Sequence, residues 1–252
     1  MQPLRQETDA PSMHRHTVLV TGATGVLGSA VVRYLLTHFQ DIGSGPTTHV
    51  VANYCRNVEQ ARRLQDETGC EIFRADIAVE AEVEALFSHC HALFAVIHLA
   101  AVNRDRLLLR QTRHDWSETM RVDADGAFLV TRAALNHLRR SGRLVLFASR
   151  VGEHGNAGQG AYAAAKAAVI ALMKVAAREG AEQGIAVNVV CPGFVPSPMN
   201  ESLSPQHLQI GRKQSVYGSF GNAQDVARTV KWLLDPNAAA ISGQVIHCDS
   251  RI

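Results

Sequence analysis

The sequence lacks features that would each indicate a class of protein. Its 252 residues contain no apolar run near the ~18 residues that a membrane-spanning helix needs. Charge is nearly balanced, with 25 Lys and Arg against 23 Asp and Glu and a formal net charge of +2. This balance is not typical of a strongly basic nucleic-acid-binding protein. We therefore expect no membrane anchor and no nucleic-acid partner.

Cysteine is scarce, and its spacing indicates no disulfide framework or metal motif. The five cysteines are scattered, and no two of them have C-x-x-C spacing. We interpret them as reduced thiols, which predicts a cytoplasmic protein. The segment His89-Cys90-His91 has no recognised ligand spacing, so we expect no metal site.

The first residues differ in composition from the rest of the chain. Residues 1–15 are polar and contain Pro3 and Pro11, and they lack the apolar stretch of a secretory signal. We interpret them as a flexible leader. Hydrophobic residues make up 46% of the sequence, which is enough for a sizeable core. No linker divides residues 16–252, so we expect one domain there.

Apolar patterns alternate between strand and helix periods along this domain. Short β-branched runs predict strands at 16–21, 49–54, 70–75, 93–99, 143–148, 185–190 and 243–247. Apolar residues at helical spacing predict helices at 26–39, 58–68, 79–89, 116–139, 161–180 and 223–234. The alternation predicts an α/β fold, a doubly wound (Rossmann-type) parallel sheet of about seven strands. Ligands should bind beyond the carboxyl ends of these strands.

A glycine-rich turn joins the first predicted strand to the first predicted helix. It reads Thr21-Gly-Ala-Thr-Gly-Val-Leu-Gly28. Glycines let the backbone turn tightly and approach a pyrophosphate, and free N–H groups at the helix N-terminus favour its negative charge. The strand–turn–helix context therefore predicts a dinucleotide site. The candidate cofactor-binding residues of this turn are Gly22, Thr24, Gly25, Val26, Leu27 and Gly28.

The residues after the second predicted strand favour NADP over NAD. A carboxylate at this point would bind the ribose 2′-hydroxyl of NAD and repel the 2′-phosphate of NADP. The segment Asn53-Tyr54-Cys55-Arg56 has no carboxylate, and Arg56 is placed to pair with the phosphate. The alternative is a solvated arginine at the start of the next helix.

A tyrosine, a lysine and a serine have the spacing of a proton-transfer site. Tyr162 and Lys166 lie four positions apart in a predicted helix and therefore share one face. An ammonium group beside a phenol favours the phenolate, so we expect Lys166 to lower the pKa of Tyr162. Ser149 follows the fifth predicted strand, where its hydroxyl can bind a substrate oxygen. Such a Tyr–Lys pair is common by chance, but the serine and the glycine-rich turn favour a catalytic interpretation.

These motifs together resemble a short-chain dehydrogenase/reductase from Thr17 to Asp249. Within that family the chain looks most like the β-ketoacyl-(acyl carrier protein) reductases. The segments that carry the resemblance are residues 102–110, 155–166, 184–194 and 242–249. Ser149 also precedes Tyr162 by the 13 residues that are typical of the family. The resemblance implies an NADPH-dependent ketoreductase that acts on a β-ketoacyl thioester and assembles as a homotetramer or dimer.

The resemblance also implies a role for each site residue. Tyr162 donates a proton, Ser149 holds the substrate oxygen, and Lys166 lowers the pKa of Tyr162 and binds the nicotinamide ribose. Asp123 stands where the family has the asparagine of its catalytic tetrad. Residues 196–218 match the family's substrate lid. The implied cofactor contacts outside the glycine-rich turn are Asn53, Arg56, Asp76, Ile77, Ala100, Tyr162, Lys166, Pro192, Gly193, Val195 and Ser197.

Two departures from the subgroup's pattern concern the adenosine end of the cofactor. Gly25 and Val26 stand where the subgroup usually has an arginine and a glycine. Because that arginine often helps to bind the 2′-phosphate, Arg56 would carry more of this role. The segment His98-Leu-Ala-Ala101 replaces Asn-Asn-Ala-Gly and changes the wall beside the ribose.

Two further departures concern the reaction centre. Asp123 adds a negative charge that would favour protonated Lys166, so activity can persist with a changed pH profile. Arg150 follows the catalytic serine, and we expect it to face solvent rather than an acidic substrate group.

The implied substrate carrier is an acyl carrier protein of fatty-acid, polyketide or polyene synthesis, with a CoA ester as an alternative. Arg139 and Arg140 match a basic stretch that docks acidic carriers, and Arg104, Arg106 and Arg110 are expected near the pocket entrance. Two other functions stay open. One is oxidoreduction of another small alcohol, sugar or steroid. The other is a catalytically weak nucleotide-binding subunit of a hetero-oligomer, which the altered glycine turn and aspartate motivate.

Overall fold

Seven parallel strands form one sheet in the order β3–β2–β1–β4–β5–β6–β7. The structure is a computed structural model, and it describes residues 16–38, 48–196, 215–218 and 220–249. The strands are β1 (His16–Thr21), β2 (Thr48–Tyr54), β3 (Glu71–Arg74), β4 (Leu93–His98), β5 (Arg143–Phe147), β6 (Ala186–Pro192) and β7 (Val245–Cys248). The predicted doubly wound α/β fold with a parallel sheet is confirmed.

Helices cover both faces of this sheet. They are α1 (Val26–His38), α2 (Val58–Thr68), α3 (Glu80–His89), α4 (Arg113–Met120), α5 (Gly126–His137), α6 (Val151–His154), α7 (Gly160–Glu179) and α8 (Ala223–Leu234). Buried side chains of α1, α2 and α8 form one core cluster with the sheet. Those of α3, α5 and α7 form a second cluster on the opposite face. The central strand β4 is buried along its whole length, as a strand covered on both faces must be.

The order of the strands defines where a ligand can bind. The chain runs outward from β1 through β2 to β3, and then crosses to the other side of β1 to begin β4. The connections therefore diverge between β1 and β4, which is the switch point where this class of sheet opens a crevice. Thr21 and His98 are register partners at the carboxyl ends of these two strands.

The predicted long helix at 116–139 is divided in the structure. It begins at Arg113, because Thr112 and Asp115 form a reciprocal capping box at its start. A π-helical turn, Arg121–Asp125, separates α4 from α5. Such turns insert an extra residue into a helix and are frequent at functional sites. Neither this turn nor the short helix α6 was predicted, because both are too short to give a periodic signal.

Helix α7 has the length and apolar composition of a membrane span, by those criteria alone. Core helices of globular proteins pass the same test. Its buried side chains, including Val169 and Met173, pack in the core cluster on one face of the sheet.

Some predictions concern residues outside the described ranges. These are the leader at 1–15, Ser197, and the lid at 196–218 apart from Pro196 and residues 215–218.

Candidate functional site

The glycine-rich turn is held close to the end of β4. Gly22 has φ +65°, and a Cβ atom there would lie 2.7 Å from the Cα of Ala100. A Cβ at Gly28 would lie 2.3 Å from the carbonyl oxygen of Gly22. Both glycines are therefore required by close backbone approach rather than by the turn alone.

The tip of the turn is open. A Cβ at Gly25 would meet only the Gly22 oxygen, at 3.4 Å, and both Gly25 and Val26 are exposed. Helix α1 begins at Val26, so its first N–H groups face this open space at the carboxyl edge of the sheet. A cradle that a Cβ atom would enter, beside a helix N-terminus, fits the pyrophosphate of a nicotinamide dinucleotide. Thr24 and Leu27 flank the tip and are partly buried.

The residues predicted for the adenosine end have different uses. Asn53 is buried, and its amide donates to the carbonyl oxygens of Phe73 (3.3 Å) and Ala75 (3.1 Å). Its side chain therefore joins β2 to β3, while its carbonyl oxygen accepts from the Ala23 N–H at 3.0 Å and holds the turn. Asp76 lies beyond β3 and pairs with Arg121 at 3.3 Å.

Ile77 and Arg56 are the two other residues predicted to contact the adenosine end. Ile77 packs so closely on Gly126 that a Cβ there would lie 2.0 Å from its Cδ1. Arg56 is exposed, with an ion pair to Glu118 at 3.5 Å. Arg74 was not predicted here, but its guanidinium donates to the Cys55 carbonyl at 3.2 Å and so lies beside Arg56.

His98 links the two strands of the switch point. Its Nδ1 and the hydroxyl of Thr21 share a hydrogen bond of 2.8 Å, and both side chains are buried. Burial and, to a lesser extent, the Lys166 ammonium lower the pKa of His98 from 6.5 to about 3. The imidazole is therefore neutral at physiological pH. It adds no second positive charge next to Lys166.

The predicted catalytic residues meet at the carboxyl ends of β4 and β5. The side chains of Ser149 and Tyr162 are neighbours, and the Ser149 oxygen accepts from the Val151 N–H at 3.2 Å. The Lys166 Nζ lies 5.4 Å from the centre of the Tyr162 ring and donates to the Phe147 carbonyl at 3.4 Å. The structure thus brings together Ser149, Tyr162 and Lys166 at this edge of the sheet.

Asp123 completes this group from the π-helical turn. One carboxylate oxygen accepts from the Val102 N–H at 2.7 Å, and the other lies 3.3 Å from the Lys166 Nζ. Both charged side chains are buried, with exposures of 0% for Asp123 and 5% for Lys166. A buried carboxylate therefore neutralises the buried ammonium.

The charges of this group act on one another. Burial raises the pKa of Asp123, although Lys166 partly opposes the shift. For Lys166, burial lowers the pKa, but Asp123 and Tyr162 together outweigh it and the net pKa is raised.

The net direction for Tyr162 differs from our expectation. Burial raises its pKa, Lys166 lowers it, and Asp123 raises it further. Lys166 therefore acts in the predicted direction, but it does not outweigh burial. The phenol is held protonated, which suits a group that donates a proton to a substrate.

The predicted contacts after β6 adjoin the end of β7. The Gly193 N–H donates to the Cys248 carbonyl at 3.1 Å, and a Cβ at Gly193 would lie 2.4 Å from that of Asp249. Pro192 ends β6, and Val195 is buried in the core.

The expectation that Arg150 faces solvent is wrong. Its guanidinium lies 3.6 Å from the buried Asp249 carboxylate, and its side chain is only 20% exposed. Attraction to that carboxylate draws the side chain inward. The sequence held no signal for this pair, because Asp249 lies at the far end of the chain.

The basic residues expected to dock a carrier lie at opposite edges of the sheet. The Arg139 N–H donates to the carbonyl of Leu93, the first residue of β4, so Arg139 and Arg140 lie at the amino edge. They do not flank the reaction centre of the same chain. Arg106 lies at the carboxyl edge, where it bridges to Gln159 and pairs with Asp115.

Comparison with known proteins agrees with this arrangement. A family model described as enoyl-(acyl carrier protein) reductase matches residues 46–250. The chain is 34% identical over 242 residues to a 3-oxoacyl-[acyl-carrier-protein] reductase of Staphylococcus aureus, covering 92% of this chain and 95% of that one. It is 30% identical over 237 residues to the enzyme of the same description in Salmonella typhimurium, covering 91% and 93%. A dehydrogenase/reductase of Sinorhizobium meliloti superposes with a TM-score of 0.84 at 27% identity, covering 94% of each chain.

Proposed function

Because the chain belongs to the short-chain dehydrogenase/reductase family and is therefore an oxidoreductase, we propose that it reduces a β-ketoacyl thioester with NADPH. The observation that carries the proposal is that Ser149 and Tyr162 lie together beside the buried Lys166–Asp123 ion pair. These residues offer the phenolic proton of Tyr162 and the hydroxyl of Ser149 to a carbonyl oxygen. They lie at the edge of the crevice proposed for the dinucleotide. The relatives named 3-oxoacyl-[acyl-carrier-protein] reductase support the choice of substrate class.

In the proposed reaction the residues of the chain bind the ketone oxygen and protonate it. When bound, the reduced nicotinamide supplies a hydride to the keto carbon. The hydroxyls of Ser149 and Tyr162 bind the ketone oxygen, and Tyr162 gives its proton to that oxygen as negative charge develops there. The raised pKa keeps the phenol protonated until the substrate oxygen becomes a stronger base.

Lys166 and Asp123 then restore the proton to Tyr162. The Lys166 ammonium stabilises the phenolate that is left, because it is a positive charge next to the ring. The Asp123 carboxylate favours protonated Lys166, so the ammonium can return a proton to the phenolate, and the Lys166 amine then recovers its proton from solvent. Lys166 is also the proposed ligand of the nicotinamide ribose.

We propose NADPH rather than NADH because two guanidinium groups border the end of β2. Burial and the Asp76 carboxylate raise the pKa of the Cys55 thiol, and Arg56 and Arg74 both act on it in the opposite direction, so both guanidinium groups lie near this residue. Arg56 is 68% exposed and its ion pair with Glu118 is long, so it is available to a 2′-phosphate. The other residues predicted to bind the nucleotide keep that role in this proposal. Asn53 would contribute through its backbone, because its side chain joins β2 to β3.

The proposed acyl carrier is an acyl carrier protein, with a CoA ester as the alternative. Such carriers are acidic, and a basic patch near the pocket would steer them. Arg104, Arg106 and Arg110 are exposed in the segment between β4 and α4, at the carboxyl edge. They support this proposal better than Arg139 and Arg140 do.

We also propose a cytoplasmic homo-oligomer, either a tetramer or a dimer. All five cysteines are free, as in a reducing compartment. Trp116 on α4, Phe128 on α5 and Val175 on α7 are exposed apolar side chains on one side of the sheet. A second copy of the chain is the occupant proposed for this surface. Sedimentation velocity would measure the assembly, and a monomer would overturn this part of the proposal.

The test is NADPH oxidation with acetoacetyl-CoA and, in parallel, with an acetoacetyl-carrier protein. We expect turnover that falls by about 10²–10⁴-fold in Tyr162→Phe while NADPH binding persists. Tyr34→Phe is the matched control, since Tyr34 stacks on His38 within α1 and should keep full activity. The ratio of the two rates ranks the carrier protein against CoA. Absence of turnover with both thioesters, with NADPH still bound, would overturn the proposal in favour of another carbonyl substrate or a catalytically weak subunit.

A further inference from the structure

Three potential metal ligands lie together beside the reaction centre but outside it. The carboxylate of Glu153, the thiol of Cys191 and the imidazole of His247 offer ligand atoms that all lie within 4.8 Å of one another. None of the three belongs to the residues proposed for catalysis or cofactor binding.

The fold explains why two of them are neighbours. Cys191 on β6 and His247 on β7 are register partners in the parallel sheet. Register partners in parallel strands direct their side chains to the same face. Cys191 packs in the core cluster that α7 covers, so His247 lies on the face that carries α6 and α7.

Helix α6 supplies the third ligand. It begins two residues after Ser149, and Gly152 packs so closely on α7 that a Cβ there would lie 2.7 Å from the Lys166 carbonyl carbon. This contact holds the adjacent Glu153 over the end of the sheet. Its carboxylate oxygen lies 3.3 Å from the Nε2 of His247.

The ligand set selects a particular class of cation. One sulfur, one imidazole nitrogen and one carboxylate oxygen suit Zn²⁺ better than Mg²⁺ or Ca²⁺, which prefer oxygen alone. We propose that Glu153, Cys191 and His247 form a binding site for Zn²⁺ or a similar thiophilic divalent cation, with solvent as the fourth ligand.

The distances agree with tetrahedral coordination after small movements. Ligand atoms around tetrahedral zinc are about 3.5 Å apart when the metal–ligand bonds are about 2.0–2.3 Å long. The glutamate and histidine already meet this separation, at 3.3 Å. Both side chains are exposed and can move to close on the buried Cys191. On binding, the cation replaces the thiol proton, which passes to solvent.

No local sequence motif indicated this site. Its residues come from three distant segments, and we had expected no metal from the local motifs. The proposal does not depend on the ketoreductase function, because cation binding can be measured without turnover.

The test is titration of the complete protein with Co²⁺, which reports its ligands by absorption. Bound to a thiolate, Co²⁺ gives a charge-transfer band in the near ultraviolet, so we expect that band to saturate at one equivalent. Cys191→Ser should abolish it. The matched controls Cys248→Ser and His154→Asn should retain it, since these residues lie nearby but outside the cluster. A band that persists in Cys191→Ser, or no band in the wild type, would overturn the proposal.

A second measurement separates binding from loss of fold. Zn²⁺ should displace Co²⁺ and raise the melting temperature of the wild type. Glu153→Gln and His247→Asn alter exposed side chains and should weaken Co²⁺ binding by about tenfold or more with the metal-free melting temperature unchanged. Equal affinity in the wild type and both variants would show that these two residues are not ligands.

Discussion

The two ends of the crevice hold similar ion pairs in opposite surroundings. At the reaction centre, Lys166 and Asp123 lie 3.3 Å apart with exposures of 5% and 0%. At the adenosine end, Arg56 and Glu118 lie 3.5 Å apart, and the arginine is 68% exposed. Removal of water strengthens each interaction of the first pair, whereas solvent screens the second.

This difference accounts for what each pair can do. The buried pair shifts the pKa values of its own members and of Tyr162, which makes it part of a proton-transfer group. The exposed pair contributes little to stability, so Arg56 can exchange Glu118 for a phosphate at little cost. The structure therefore separates a reactive end, where charges are coupled, from a recognition end, where they are replaceable.

Breaking the buried pair tests this contrast most strongly. Lys166→Met leaves the Asp123 carboxylate buried without its partner, and we expect a loss of about 3–5 kcal/mol in the free energy of unfolding. Urea denaturation at neutral pH measures it. The control Arg33→Met breaks the exposed pair with Glu67 and should cost at most about 1 kcal/mol.

A double variant identifies the cause of that loss. Lys166→Met combined with Asp123→Asn should recover part of the stability, since no unpaired charge is then buried. Equal costs for Lys166→Met and Arg33→Met would contradict the contrast between buried and exposed pairs.

Two glycine substitutions in the glycine-rich turn separate its structural role from its role in cofactor binding. Gly28→Ala places a Cβ against backbone atoms and should lower the free energy of unfolding by about 1–3 kcal/mol. Gly25→Ala meets no such obstacle and should change stability by less than about 1 kcal/mol. Because its Cβ fills the open tip of the turn, it should still weaken NADPH binding, measured by fluorescence titration. Wild-type affinity in Gly25→Ala would place the pyrophosphate elsewhere.

Removing Arg56 tests the recognition end. Arg56→Ala should lower the ratio of NADPH to NADH in kcat/KM by about tenfold, which corresponds to ~1.4 kcal/mol. Arg62→Ala, on the exposed face of α2, is the control and should leave the ratio unchanged. If Arg56→Ala leaves the NADPH to NADH ratio of kcat/KM unchanged, Arg56 does not bind the 2′-phosphate and Arg74 is the remaining candidate.

The mildest change alters one charge at the reactive end. Asp123 raises the pKa values of both Tyr162 and Lys166, so Asp123→Asn should lower them. Ketone reduction needs the protonated phenol, and its rate should therefore decline at a lower pH than in the wild type. The Asp105 charge acts more weakly on Tyr162, so Asp105→Asn should shift the pH at which the rate declines by less. If this decline stays at the same pH or moves to higher pH in Asp123→Asn, the proposed effect of Asp123 on Tyr162 and Lys166 is wrong.

Much of the site was predictable because it is local. The strand–turn–helix at residues 16–38 follows from a buried apolar run and three glycines. Tyr162 and Lys166 share a helix face by their spacing alone. In contrast, the π-helical turn that presents Asp123 has no periodic signature, and α7, which packs against it, comes from a later part of the chain.

The sequence by itself determined the alternation of strands and helices, and with it the edge of the sheet where a ligand binds. It also determined which groups are available for proton transfer. Only the tertiary structure decided their charges. The Lys166–Asp123 contact, the neutral His98 and the pairing of Arg150 with Asp249 each depend on residues far apart in the chain. Burial and distance set the energy of a charge, and both arise only when distant segments pack together.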